Sequence, residues 1–82
     1  MSGPLEGERP KRPAPLTEWR HWKGGRYMVL TLARHHARSR EWWVIYRAID
    51  ANGETWARPI EEWEAMVNQP GGSPPVPRFG LA

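Results

Sequence analysis

Two stretches of the chain alternate as β-strands do. Arg26 to Arg34 (RYMVLTLAR) sets Met28, Leu30 and Leu32 against Tyr27, Val29, Thr31 and Ala33; successive side chains of a strand point to opposite faces. Glu41 to Ile49 (EWWVIYRAI) sets Trp43, Ile45 and Ile49 against Trp42, Val44 and Tyr46. Both faces of this second stretch are largely apolar. That suits a strand wrapped inside a small curled barrel better than one in a one-sided sheet. Trp43, Ile45, Trp63, Leu30 and Tyr27 are the expected core, because large aromatics favour burial.

The segments between these strands carry turn chemistry. Lys23-Gly24-Gly25-Arg26 is a turn signal after a short apolar-aromatic segment, Trp19 to Trp22. The polar run His35 to Arg40 predicts a hairpin loop. Asp50-Ala51-Asn52-Gly53 contains Asn-Gly, the strongest short hairpin signal, and returns the chain as a third strand over Glu54 to Arg58. Pro59 suits a first helical position, where its missing N–H costs nothing. Ile60, Trp63 and Val67 then share one face of a two-turn helix, with Glu61 and Glu62 at its positive end. Val76 to Leu81 predicts a last edge strand. The order β-β-β-β-α-β predicts a mostly β fold: a small SH3-like β-barrel with one short α-helix near the C-terminus.

Length and composition set the limits of that fold. Eighty-two residues have room for one domain. Met1 to Leu16 holds four prolines and two glycines with no apolar period; residues 1–16 are expected to be a disordered Pro-rich arm. Residues 17–81 form the single barrel domain, with a Pro/Gly linker at 69–77 (QPGGSPPVP). There is no cysteine, which excludes disulfide staples and thiolate metal sites. No apolar run reaches the length of a membrane span and no signal peptide is visible, so no membrane association and a cytoplasmic location are expected.

Charge and aromatics narrow the function classes. All six tryptophans fall between Trp19 and Trp63. From Arg20 to Arg47 seven basic residues face one acid, Glu41, whereas Asp50 to Glu64 holds five acids and one base, Arg58. The pattern implies a basic strand region and an acidic helix. Ten of the twelve bases are arginine, which suits planar contacts with phosphate, carboxylate and aromatic faces. His35 and His36 are adjacent and would point to opposite faces of a strand, while His21 is far away in sequence and is expected to hydrogen-bond across strands. No metal site is expected. None of the hydroxyl residues sits in a Gly-x-Ser-x-Gly turn or in a recognisable arrangement with a histidine. The sequence predicts no catalytic residues and no cofactor.

Several motifs together carry a resemblance: Arg20-His21-Trp22-Lys23-Gly24-Gly25-Arg26-Tyr27-Met28-Val29-Leu30, Ala33-Arg34-His35, Val44-Ile45-Tyr46-Arg47-Ala48, Trp56-Ala57-Arg58-Pro59 and Val76-Pro77-Arg78-Phe79. In order and spacing they resemble the bacterial family known as domain of unknown function 1653, over roughly three quarters of the chain. The resemblance implies no catalytic residues, since the family has none assigned.

Trp56 and Arg58 alternate onto one strand face just before the helix start. Trp22, Lys23, Tyr46 and the returning Arg78-Phe79 are expected to border them. The bland outcome is a structural arginine that pairs with Glu61 or Glu62 or stacks on an indole. The functional outcome is an arginine-lined aromatic cleft, the ligand-binding set being Trp22, Lys23, Tyr46, Trp56, Arg58, Arg78 and Phe79. Interleaved tryptophans and bases point to nucleic acid or a nucleotide-like anion as partner. The alternative is a protein partner: an interaction adaptor whose aromatic groove takes an extended peptide.

Overall fold

The computed structural model describes residues 9–49 and 53–82. Strands β1 (Thr17–His21), β2 (Arg26–Arg34), β3 (Trp42–Ala48) and β4 (Thr55–Pro59) follow one another as an antiparallel meander. A late strand, β7 (Phe79–Leu81), returns to pair with β1, so the sheet order is β4-β3-β2-β1-β7. Among the described residues this sheet has two edges, β4 and β7, and is open. The fold is mostly β, as the alternation predicts. The Gly24 turn has a backbone φ of 112°, open to glycine at little cost. Of the Asn-Gly signal, Asp50 to Asn52 lie outside the described residues; Gly53 has φ 73°.

The face assignment is reversed in β3 and broken in β2. Trp42, Val44 and Tyr46 are buried, while Trp43 and Ile45 are half-exposed on the opposite face. In β2 the pairing steps from Val29↔Tyr46 to Thr31↔Ile45, leaving Leu30 as an extra residue. Such a bulge inverts the alternation beyond it. Val29 and Leu32 therefore point to the same buried face although three residues apart. Of the expected core, Trp63 is buried and Tyr27 packs against the buried cluster, but Trp43, Ile45 and Leu30 are only half-buried. The Trp43 indole instead donates to Glu41 at 2.9 Å and lies beside His35. The His35 Nδ1 accepts from the Ala37 and Arg38 backbone, each at 3.1 Å, which closes the β2–β3 loop.

The helix is shorter and earlier in the chain than the spacing suggests. α1 covers Ile60–Trp63, one turn, with Pro59 at its N-cap as the last residue of β4. Val67 does not continue it. Met66–Val67 is strand β5, paired with β6 (Val76–Pro77) in a two-stranded ribbon. The expected linker at 69–77 thus contains a 3₁₀ turn at Pro70–Gly72 and half of that ribbon. Three short strands follow α1, so it is not near the C-terminus. The reason is local: a β-branched valine gains from a strand partner what one more helical turn would not give it.

α1 drops Trp63 onto the sheet. The indole is 2% exposed, stacked at 3.7 Å on Phe79 and edge-on to Trp19 and Tyr46. Together with Val29 and Val44, both fully buried, and with Leu32 and Trp42, these rings form the core. Among the described residues the Trp63 indole N–H finds no hydrogen-bond partner. At the opposite end of the sheet the segment before β1 also packs. Pro13 is buried, the Leu16 N–H donates to the Val29 carbonyl at 2.7 Å, and Arg9 lies over Trp42. Within the expected arm at 1–16, Met1 to Glu8 lie outside the described residues, and Arg9 to Leu16 run along the sheet.

Candidate ligand-binding cleft

Directly opposed residues of antiparallel strands share a face. The pairs Tyr46↔Trp56, Val44↔Arg58, Val29↔Tyr46, Trp19↔Tyr27 and His21↔Phe79 therefore put all these side chains on the side of the sheet that α1 covers. α1 covers only part of it. Beyond the helix the face stays open, and Tyr27, Tyr46, Trp56 and Arg58 line a cavity of about 240 Å³ there. Trp56 is 51% exposed, in contrast to the sealed Trp63.

Arg58 is held from three sides. Its Nε donates to the Tyr46 hydroxyl at 3.3 Å, its Nη1 lies 3.6 Å from Glu62 Oε1, and its guanidinium stands over the Phe79 ring at 5.6 Å. Glu62, and not Glu61, is thus its acidic neighbour. The contact with Glu62 is longer than a hydrogen bond and involves a carboxylate whose side chain is 60% exposed. Arg78 is tied to the same turn, its Nε donating to the Glu62 carbonyl at 3.0 Å.

His21 stands between these cations. It forms T-shaped contacts with Phe79 and Tyr27 and its Nδ1 accepts from the Lys23 backbone N–H at 3.2 Å. In the neutral ring this leaves the proton on Nε2. Its bond is therefore to the adjacent turn and not across the strands as the sequence suggests. Partial burial holds the imidazole below its ordinary pKa, and the charges of Arg58, Arg78 and Lys23 push it further down.

The seven predicted residues divide into three groups. Tyr46, Trp56 and Arg58 meet in the cleft. Arg78 and Phe79 adjoin it, but Phe79 is a core residue beneath Arg58 and offers little surface. Trp22 and Lys23 lie on the far side of His21, with the Lys23 ammonium over the Trp22 ring at 5.4 Å. Trp22 lines a separate, wider depression of about 590 Å³ with Arg20, Pro77 and Leu81. The sequence reading placed Tyr27 in the core, whereas it lines the cleft; His21 adjoins the cleft through its contacts with Tyr27 and Phe79 without lining it. The pairing of β1 with β7 is the signal that would have found His21, since it sets His21 opposite Phe79.

The lining of the cleft is rich in hydrogen-bond donors. Its lining holds a donor-only guanidinium, a donor-only indole and two phenols. The Tyr46 hydroxyl already accepts from Arg58, so its proton remains to be donated. Among the described residues no group of histidines and acids is arranged to hold a metal ion, and no helix is long and apolar enough to cross a membrane.

Comparison with known proteins agrees with this architecture. No curated protein matches the chain. A crystal structure of a DUF1653 protein from Bordetella bronchiseptica is similar, with 28% sequence identity and a TM-score of 0.72, over 89% of this chain and 92% of that one. Residues 17–81 match the family described as Protein of unknown function (DUF1653), and the chain belongs to that family.

Proposed function

We propose that this protein is a small, non-catalytic binding module that recognises nucleic acid or a nucleotide-like anionic ligand at the open end of its aromatic face. The observation that carries this reading is the donor character of the cleft. Arg58, Trp56 and Tyr46 line one cavity with Tyr27, and the four lining residues include no carboxylate. An acceptor-rich anion satisfies all three, and a flat ring matches the half-exposed Trp56 indole, since base–aromatic stacking tolerates any base. The test is a titration of the wild type and Arg58→Gln with short single-stranded oligonucleotides, followed by tryptophan fluorescence at about 50 mM salt, where phosphate contacts are strong. Quenching that fades with added salt and with the substitution supports the reading. No quenching by any sequence removes it.

A second reading rests on a different observation. β4 is an edge strand whose Thr55, Trp56 and Ala57 are exposed. An extended peptide that pairs with such an edge and sets side chains against Trp56 would make the protein an adaptor, as in SH3-like barrels that use an aromatic groove. That mode is nearly insensitive to salt, so the same titration separates the two.

A further inference from the structure

The basic residues of the chain do not line up into a track toward the cleft. Arg20, Arg26 and Arg47 pair into the opposite face of the sheet, where Arg26 is bonded to Glu18. Arg34, Arg38 and Arg40 belong to the far end of the β2–β3 hairpin; Arg38 pairs there with Glu41 and Arg34 lies over Trp42. Arg58 lines the cleft and Arg78 adjoins it, while Lys23 stands beyond His21, over Trp22. A surface that follows a long single strand needs a continuous basic groove with successive stacking rings. Here one indole is half-exposed, and the cavity of about 240 Å³ is below the roughly 300–1,000 Å³ of pockets that enclose drug-sized ligands. That is room for one ring system.

Glu62 does not line the cavity, but it is the acid that faces Arg58 from α1. Its carboxylate lies 3.6 Å from Arg58 Nη1, is mostly solvated and makes no charge-assisted bond of hydrogen-bonding length to it. A phosphate oxygen can approach the same guanidinium to about 2.7–2.9 Å. Resting on the reading above, we propose that the cleft holds a single nucleotide unit, its base on Trp56 and its phosphate on Arg58 in place of the Glu62 carboxylate. The unit is a nucleoside monophosphate, free or as the phosphorylated end of a strand. Glu62 is then a built-in competitor that tunes affinity, and neutralising it strengthens binding.

The test uses the full chain as wild type, Glu62→Gln and Arg58→Gln. Each is titrated at about 50 mM salt with a nucleoside 5′-monophosphate, the parent nucleoside, a short 5′-phosphorylated oligonucleotide and the same oligonucleotide with hydroxyls at both ends. Thermal midpoints confirm that both variants are folded. The phosphate-bearing ligands are expected to bind about tenfold or more tighter than their phosphate-free partners. Glu62→Gln should gain roughly threefold to fivefold for those ligands alone, and Arg58→Gln should lose the discrimination. The ratio of monophosphate to phosphorylated oligonucleotide affinity tells the free nucleotide from the strand end. Affinity that rises with strand length whether or not a phosphate end is present overturns the single-unit site while leaving nucleic-acid recognition intact. An unchanged affinity in Glu62→Gln overturns the displacement of Glu62. Absence of binding by every ligand to wild type and Glu62→Gln overturns both this inference and the reading it rests on.

Discussion

One face of one sheet carries two aromatic regions with opposite fates. Under α1, Trp19, Tyr46, Trp63 and Phe79 meet edge to face or stacked and are buried. Next to them Tyr27, Trp56 and Arg58 continue the same face but lack a lid, and the Trp56 indole is half in solvent. Residue type does not separate the two, since both are built from indoles and phenols. What separates them is the reach of a four-residue helix. Among the described residues the sealed region has one polar orphan, the Trp63 N–H. The open region has an arginine and hydroxyls with donors to spare. An aromatic surface becomes core where a lid excludes water, and a candidate site where the lid stops and a cation takes its place.

The largest expected effect is on the sealed side. Trp63→Ala removes the ring that touches Trp19, Tyr46 and Phe79, and a buried Trp→Ala change costs about 3–5 kcal/mol. Chemical denaturation should show this as a lowered midpoint, or as a failure to fold in so small a domain. A midpoint close to wild type would mean that α1 does not seal the core. Trp43→Ala probes the reverse of the sheet and should cost less, about 1–2 kcal/mol, because its indole is only half-buried and donates to Glu41. Equal costs for Trp43 and Trp63 would show that the two faces are buried alike.

Much of this division was legible in the chain, and what was not has identifiable causes. The four-strand meander and the proximity of Trp56, Arg58 and Tyr46 follow from alternation and turn signals, whereas the single edge strand expected over Val76 to Leu81 is split between β6 in the ribbon and β7 on the main sheet. The choice between the faces of β3 did not, because Trp42-Val44-Tyr46 and Trp43-Ile45 are equally apolar. The bulge at Leu30 hid the fact that Val29 and Leu32 share a face. Val67 fitted a helical spacing, yet pairing with Val76 claimed it for the ribbon. Tyr27 looked like core by composition; only its position at the uncovered end makes it a cleft wall. A bulge, an unanticipated ribbon and the end of a lid are all tertiary outcomes that override local pattern.

On the open side, Arg58→Gln should change stability by within about 1 kcal/mol, since its ion pair with Glu62 is long and partly solvated. Binding of a phosphate-bearing ligand should suffer far more. A large loss of stability with unaltered affinity in the folded fraction would make Arg58 an anchor for α1 and merge the two regions into one structural unit.

The smallest effect is a pH dependence with two opposite signs. His21 lies below its ordinary value near 6.5 because of partial burial and then Arg58, Arg78 and Lys23. Between its folded value and about 6.5 the unfolded chain holds a proton that the folded chain does not. The His21 contribution to stability is therefore fully present above about pH 6.5 and declines as pH falls through that window. A bound phosphate offsets the three cations and favours the imidazolium, so the His21 contribution to ligand affinity should rise over the same interval, against the charge that a phosphate monoester loses near its second pKa of about 6. His21→Gln should flatten both slopes. If thermal midpoints of wild type and His21→Gln fall in parallel from pH 7 to 5, His21 does not sense this field.

The division of the face is tested most directly by two-dimensional NMR of the ¹⁵N-labelled protein titrated with a nucleoside 5′-monophosphate at low salt. The expected result is that the Trp56 indole N–H and the Arg58 Nε–H shift progressively, while the Trp63 and Trp43 indole signals stay in place. Shifts centred on Trp43 and Ile45, on the reverse of the sheet, or no shift at Trp56 at any ligand concentration, would contradict it.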